Sequence, residues 1–124
     1  MNFPANLKYT ATHEWVKELG GGVYEIGLSD FAQKELGDIV FVNLPQAGDA
    51  LSAGTSFADL ESVKAVTDIF SPVTGTVKEA NSAVLDSPES INKDCYGAWL
   101  IRAEGKPEGG LLDAAAYEAS LPKK

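Results

Sequence analysis

The sequence predicts a mainly β fold, a sandwich or small barrel of short strands, with short peripheral helices and one C-terminal helix. Three observations lead there. Short runs rich in branched and aromatic residues recur through the first two thirds of the chain, as strands do. Glycine and proline punctuate them at close intervals. Helix-cap signatures, by contrast, are few and precede only short helical stretches. With 124 residues, 44% of them hydrophobic, the chain is large enough to be one domain over 1–124 that needs no disulfide or structural metal.

Each element follows from its residues. Gly20-Gly21-Gly22 separates His13–Lys17 from Val23–Leu28, which reads as a hairpin with a loose glycine turn. Ser29–Gly37 changes character: Asp30 is a candidate cap, Gln33 stands three residues on, and Gly37 can stop a helix of about two turns. Phe31 and Leu36 should face inward. Asp38–Pro45 is the most apolar stretch and reads as a buried strand. Gly48-Asp49 and Ala53-Gly54 mark turns around Ala50–Ser52, and Ser56–Leu60 and Val66–Phe70 read as two strands of a hairpin. Pro72, Thr74 and Gly75 predict a further turn into a strand from Gly75 to Glu79.

Ser87-Pro88-Glu89 opens a helical turn, with Ser87 as cap and Pro88 in the first helical position. A strand is expected from Tyr96 to Ala103, followed by a loose Gly105–Gly110 loop. Asp113 caps an alanine-rich helix to Leu121, with Leu112, Ala116 and Tyr117 on its inner face.

Charge and composition exclude several functions. The formal charge is −8 and Arg102 is the sole arginine, so the clustered cations that bind nucleic-acid phosphates or anionic membranes are missing. The one cysteine, Cys95, and the one histidine, His13, leave no CxxC pair and no histidine-rich or cysteine-rich metal site. The start of the chain has no basic segment ahead of an apolar core, and no run approaches membrane-spanning length. A reducing, cytoplasmic setting is expected. His13 beside Glu14 invites an acid/base reading, but without a nucleophile motif a structural role is favoured. Cys95 has no nearby histidine or basic cluster to lower its pKa, which favours a turn or packing role.

Lys64 is the most informative residue. It falls between the two strands of one hairpin, in Glu61-Ser62-Val63-Lys64-Ala65-Val66-Thr67-Asp68. An exposed amine with a pKa of ~10.4 is a poor catalyst at neutral pH but a good handle for another enzyme to acylate. Alone, it would pass for an ordinary surface lysine. Its frame argues otherwise: Gly48 and Gly54 precede it, and Pro72 and Gly75 follow on the partner strand. The same order of turn residues around a lysine recurs in swinging-arm domains that carry lipoate or biotin.

The match extends further. Tyr9-Thr10-Ala11-Thr12-His13-Glu14-Trp15-Val16, Ile26–Gln33, Leu36–Val42 with Leu44-Pro45 and Gly48, Glu61–Ala65, and Leu111–Tyr117 follow in order. Together they resemble the H-protein family of the glycine cleavage system over nearly the whole chain. Biotin carriers usually flank the lysine with methionines; Val63 and Ala65 argue for lipoate.

The resemblance implies a lipoyl-type barrel-sandwich hybrid of two small antiparallel sheets, and a non-catalytic carrier. Lipoate would be amide-linked to Lys64, with Glu61, Ser62, Val63 and Ala65 as the recognition frame. The implied partners are a pyridoxal-phosphate glycine decarboxylase (P protein), a folate-dependent aminomethyltransferase (T protein) and a flavin-dependent dihydrolipoamide dehydrogenase (L protein). A lipoate ligase or an octanoyl/lipoyl transferase would load the arm. In this family the loaded arm can tuck into a surface cleft. By position, Thr12, Glu14 and Asp68 match the residues near the stored aminomethyl group, so Glu14 or Asp68 is expected to pair with its cationic nitrogen. Two rivals are an H-like protein that mainly relays lipoate to other lipoyl domains, and an unmodified β-rich binding module. One segment departs from the family pattern: Asp94-Cys95-Tyr96-Gly97-Ala98-Trp99 has cysteine for proline and alanine for the last glycine, so its turn is expected to differ.

Overall fold

The computed structural model describes residues 1–122; Lys123 and Lys124, the end of the expected 1–124 domain, lie outside the described residues. Among the described residues the strands are β1 (Lys8–Tyr9), β2 (Glu14–Gly20), β3 (Val23–Leu28), β4 (Ile39–Asn43), β5 (Ala50–Leu51), β6 (Ser56–Ser62), β7 (Val66–Phe70), β8 (Val73–Ala80) and β9 (Ile101–Pro107). The helices are α1 (Asp30–Leu36), α2 (Ser82–Asp86), α3 (Ser90–Lys93) and α4 (Ala114–Ser120). The pairings are antiparallel and make a six-stranded sheet, β1-β2-β3-β9-β8-β5, and a three-stranded sheet, β4-β6-β7. The mainly β, two-sheet expectation therefore holds.

Among the described residues, three apolar clusters form the core. Leu28, Ile39, Val42, Leu60, Ile69 and Leu100 belong to one. Ile26, Val73, Val77, Ile101 and Ala103 belong to a second, along the larger sheet. Tyr9, Trp15 and Tyr117 form the third, with the Tyr9 and Tyr117 rings stacked at 4.7 Å. Each fully buried large side chain contributes about 1.5–3 kcal/mol of transfer free energy. Through Tyr117, the third cluster ties α4 to β1 and β2, the strands on either side of the turn that precedes Glu14.

Several local expectations are corrected. Ser29, not Asp30, caps α1: its hydroxyl accepts the Ala32 amide, while Gln33 donates to the Asp30 carboxylate. The apolar Asp38–Pro45 stretch is only half buried. A register shift between Ile39 and Phe41 turns both Val40 and Phe41 outward. Thr74 and Gly75 continue β8 and make no turn. Gly75 pairs with Gly105, and a Cβ there would collide with the Glu104 carbonyl, so the glycine answers close strand approach. The last strand starts at Ile101, later than Tyr96, and absorbs Gly105 to Pro107 of the expected loop. Helix α2 was not anticipated; Asn81 caps it. Ser87 and Pro88 form a turn into α3, which begins at Ser90 without a side-chain cap. Asp113 caps α4 as expected, and Tyr117 is buried, but Ala116 is exposed.

Candidate functional site

Lys64 stands at the tip between β6 and β7, and the tip's backbone is tightly held. The Ser62 amide donates to the Ala65 carbonyl at 2.8 Å, and the Ser62 hydroxyl accepts the amides of Lys64 (3.2 Å) and Ala65 (3.1 Å). The Val63 amide reaches across to the Asp38 carbonyl at 3.0 Å. These bonds explain a serine at this place: its hydroxyl satisfies two amides that the turn would leave open. Glu61, Val63, Lys64 and Ala65 are exposed.

The lysine stem has a definite bed. Gly37 ends α1 with φ 74° and ψ −155°, a conformation that side-chain-bearing residues avoid. A Cβ there would lie 3.4 Å from both Lys64 Cε and Val63 Cγ2. The stem thus runs across the C-terminal end of α1.

That helix end walls a cleft of about 150 Å³. Leu28, Phe31, Ala32, Leu36 and Ile69 give it apolar sides, while Thr12, Glu14 and Asp68 line it together with His13 and Thr67. Three residues singled out from the sequence, Thr12, Glu14 and Asp68, therefore meet in one cavity. Thr67 and Asp68 lie on β7, just beyond the lysine tip. A larger cavity of about 490 Å³ shares Thr12 and Glu14 but is otherwise walled by loops including Ser71, Pro72 and Gly109. The smaller one is the candidate arm cleft because it adjoins the helix end that carries the lysine stem.

Glu14 is the most unusual group in the cleft. Only 1% of it is exposed, and its Oε1 accepts hydroxyl bonds from Thr10 and Thr12, both at 2.6 Å. Burial pushes its pKa up to about 7, against the lowering effect of the two threonine hydroxyls and the Phe70 backbone. The chain turns sharply just before it: His13 is in the left-handed region, with φ 76°, and its amide bonds the Thr10 carbonyl. The His13 ring fixes this turn. Its Nδ1 lies 2.8 Å from the Tyr117 hydroxyl, and its ring is tilted at 49° against Phe31, with centroids 4.8 Å apart. Burial holds His13 below the usual histidine range, partly offset by Glu35. The histidine is therefore a structural post that also lines the cleft.

Sequence reasoning missed Thr10, Phe31 and Tyr117 as parts of this site. Thr10 could have been found as a second hydroxyl beside an acid; Tyr117 comes from 104 residues away and left no local signal. The departing segment is also accounted for. The Cys95 carbonyl accepts the Trp15 indole N–H at 3.0 Å, Cys95 and Ala98 are buried, and Gly97 sits where a Cβ would strike the Asp94 carboxylate. Burial pushes the Cys95 thiol up to about 12, which makes it inert.

The family model described as "Glycine cleavage H-protein" matches residues 7–123. The chain belongs to the glycine cleavage H-protein family. It is 50% identical to a glycine cleavage system H protein from Burkholderia vietnamiensis, over 94% of each chain. It is 49% identical to one from Alteromonas mediterranea, over 99% of this chain and 98% of that one. A crystal structure of a glycine cleavage system H protein from Mycobacterium marinum superposes with a TM-score of 0.89 at 38% identity, covering 94% of this chain and 97% of the other. Like other members of the H-protein family, the chain has the two-sheet fold, here with a lysine-tipped hairpin beside an acid-bearing cleft.

Proposed function

We propose that the chain is the lipoyl carrier of the glycine cleavage system, with lipoate amide-linked to Lys64, and that it is itself non-catalytic. Its partners on this reading are the glycine decarboxylase, the aminomethyltransferase, the dihydrolipoamide dehydrogenase and a lipoate-attaching enzyme, in a cytoplasmic setting. The observation that carries the reading is the pairing of a rigid, exposed lysine tip with an apolar cleft reached along the lysine's own stem. The residues fit the group. Leu28, Phe31, Ala32, Leu36 and Ile69 offer an aliphatic chain the surface it needs, and Gly37 leaves room for the stem.

Lipoate held there would supply a disulfide, the chemistry needed to accept an aminomethyl carbon together with two electrons. The chain's own residues do the rest. The Ser62 hydroxyl and the Asp38 carbonyl hold the tip still, so that the loading enzyme meets Nζ, and later enzymes the base of the arm, in one place. The apolar walls exclude water from the cleft, which slows hydrolysis of a group resting there. At neutral pH Glu14 is poised near half protonation. A cationic nitrogen brought against it favours the carboxylate, so docking expels a proton from Glu14 and gains a charge-assisted contact. Asp68, exposed at the rim, adds negative potential.

Intact mass after incubation with lipoate, ATP and a lipoate ligase tests the reading. One lipoyl adduct is expected on the wild type and none on Lys64→Ala. An adduct that survives Lys64→Ala removes Lys64 from the function.

A further inference from the structure

The outer face of the three-stranded sheet differs from an ordinary solvated surface. Strand register sets its side chains in rows: Phe41, Glu61 and Val66 in one, Asn43, Asp59 and Asp68 in the next. Phe41 is 53% exposed and Val66 71%, with Val40 (55%) and Val63 (65%) nearby. Single exposed apolar side chains are common, but four gathered on one strand face and its hairpin tip mark an interaction surface. In the second row Asp59 directly faces Asp68, a like-charge pair that destabilises a strand pairing. Asp59 Oδ1 is buried with no hydrogen-bond donor, and neither row contains a lysine or arginine. Buried carboxylate oxygens are rarely left without a partner.

We infer that this face docks the enzyme that acylates Lys64. That enzyme meets Phe41 and Val66 with an apolar contact and directs an arginine or lysine at Asp59. The inference rests on the reading of Lys64 as the attachment point. Reach decides which partner covers the face. The enzyme that forms the amide must bring its acyl carbonyl to Nζ itself, so its surface covers the residues around the tip. Enzymes that work on the cargo meet the far end of the arm and can stand off by its length. In the step itself, the uncharged Nζ attacks the carbonyl carbon of an acyl adenylate. The C–N bond forms, the C–O bond to phosphate breaks, AMP leaves with the bonding pair, and the surplus amine proton passes to a base on the enzyme. A cation over the Asp59–Asp68 pair relieves the repulsion between the two carboxylates. Such contacts speed encounter and weaken with salt.

The test is steady-state acylation of the unmodified chain by a purified ATP-dependent lipoate ligase, with lipoate and ATP. Wild type, Phe41→Ser, Val66→Ser and Asp59→Asn are compared. Each is also loaded to completion with excess ligase and assayed with the decarboxylase. Each variant should raise the ligase KM for the protein about tenfold with kcat held, as for loss of a contact made equally in ground and transition states. Added salt should raise the wild-type KM more than that of Asp59→Asn. The pre-loaded variants should match wild type with the decarboxylase. Wild-type KM values in Phe41→Ser and Asp59→Asn overturn the inference, and so does a defect confined to the decarboxylase reaction. Val66→Ser, at the most exposed of these positions, guards against a folding artefact. A wild type that takes no acyl group removes the attachment reading and this inference with it. A loaded wild type with equally good variants removes the docking face alone.

Discussion

The hairpin that carries Lys64 and the turn that carries Glu14 are both fixed in backbone, yet they treat their side chains in opposite ways. At the hairpin, hydrogen bonds from Ser62 and Val63 hold the tip, and the lysine is left exposed with only a glycine beneath its stem. At the turn, backbone and side chain are both locked. His13 is clamped by Tyr117 and Phe31, and two threonine hydroxyls seize the Glu14 carboxyl in a nearly dry site. The contrast suits a carrier: the sending end must be wet and accessible, the receiving end dry and organised beforehand. It also divides the cost of function. The exposed lysine costs the fold little, whereas burying an acid destabilises it whenever that acid must ionise.

Replacing Glu14 attacks the contrast most directly. Folded Glu14 keeps its proton to about pH 7, while the unfolded chain releases it near 4.5. The folded state therefore binds more protons in that window, and stability falls as pH rises through it, then levels off above about 7. Glu14→Gln removes this slope. Urea unfolding should show a variant more stable than wild type above pH 7, by roughly 3 kcal/mol at most. Its loaded form should lose aminomethyl protection. Equal pH slopes in the two proteins would mean that Glu14 is ionised in a wetter site than its burial implies.

Next in size is Gly37→Ala, which attacks the other end. Forcing a side chain into this conformation costs on the order of 1–3 kcal/mol. The added methyl also stands 3.4 Å from Lys64 Cε and crowds the stem. A lower melting temperature is expected, together with faster hydrolysis of the loaded group, because the arm no longer lies toward the cleft. If stability drops while hydrolysis stays at the wild-type rate, Gly37 serves the helix end alone and is no guide for the arm.

Legibility from the sequence followed the same divide. The Lys64 hairpin was readable because its signals are local: two strand-like runs, turn residues around them, and a lysine at the centre. The β-rich class and the C-terminal helix are legible from strand-like runs and capping, whereas the two-sheet arrangement is legible only through the family resemblance. The Glu14 site was readable only as an ordered motif. Its chemistry depends on Tyr117, Phe31 and Ile69, which converge from distant segments through packing that no local pattern encodes. The local errors share that origin. Gly75 reads as a turn residue because no local pattern shows its strand partner, Gly105. The apolar Asp38–Pro45 run reads as buried because a sequence pattern cannot foresee the register shift that turns Val40 and Phe41 outward.

The smallest effects come from taking one hydroxyl from each region. Thr12→Val removes a 2.6 Å donor from the Glu14 carboxylate where water has little access. The Glu14 midpoint, followed by carboxyl-carbon NMR, should climb above its wild-type value of about 7, because the charged form loses a donor while burial stays the same. Ser62→Ala removes an acceptor for two amides at an exposed tip, where water can replace it. It should cost less than about 1 kcal/mol, and the change should be confined to faster amide exchange at Lys64 and Ala65. If the two substitutions prove equally mild, with no movement of the Glu14 midpoint, the cleft admits water as freely as the tip, and the contrast between a dry receiving end and a wet sending end fails.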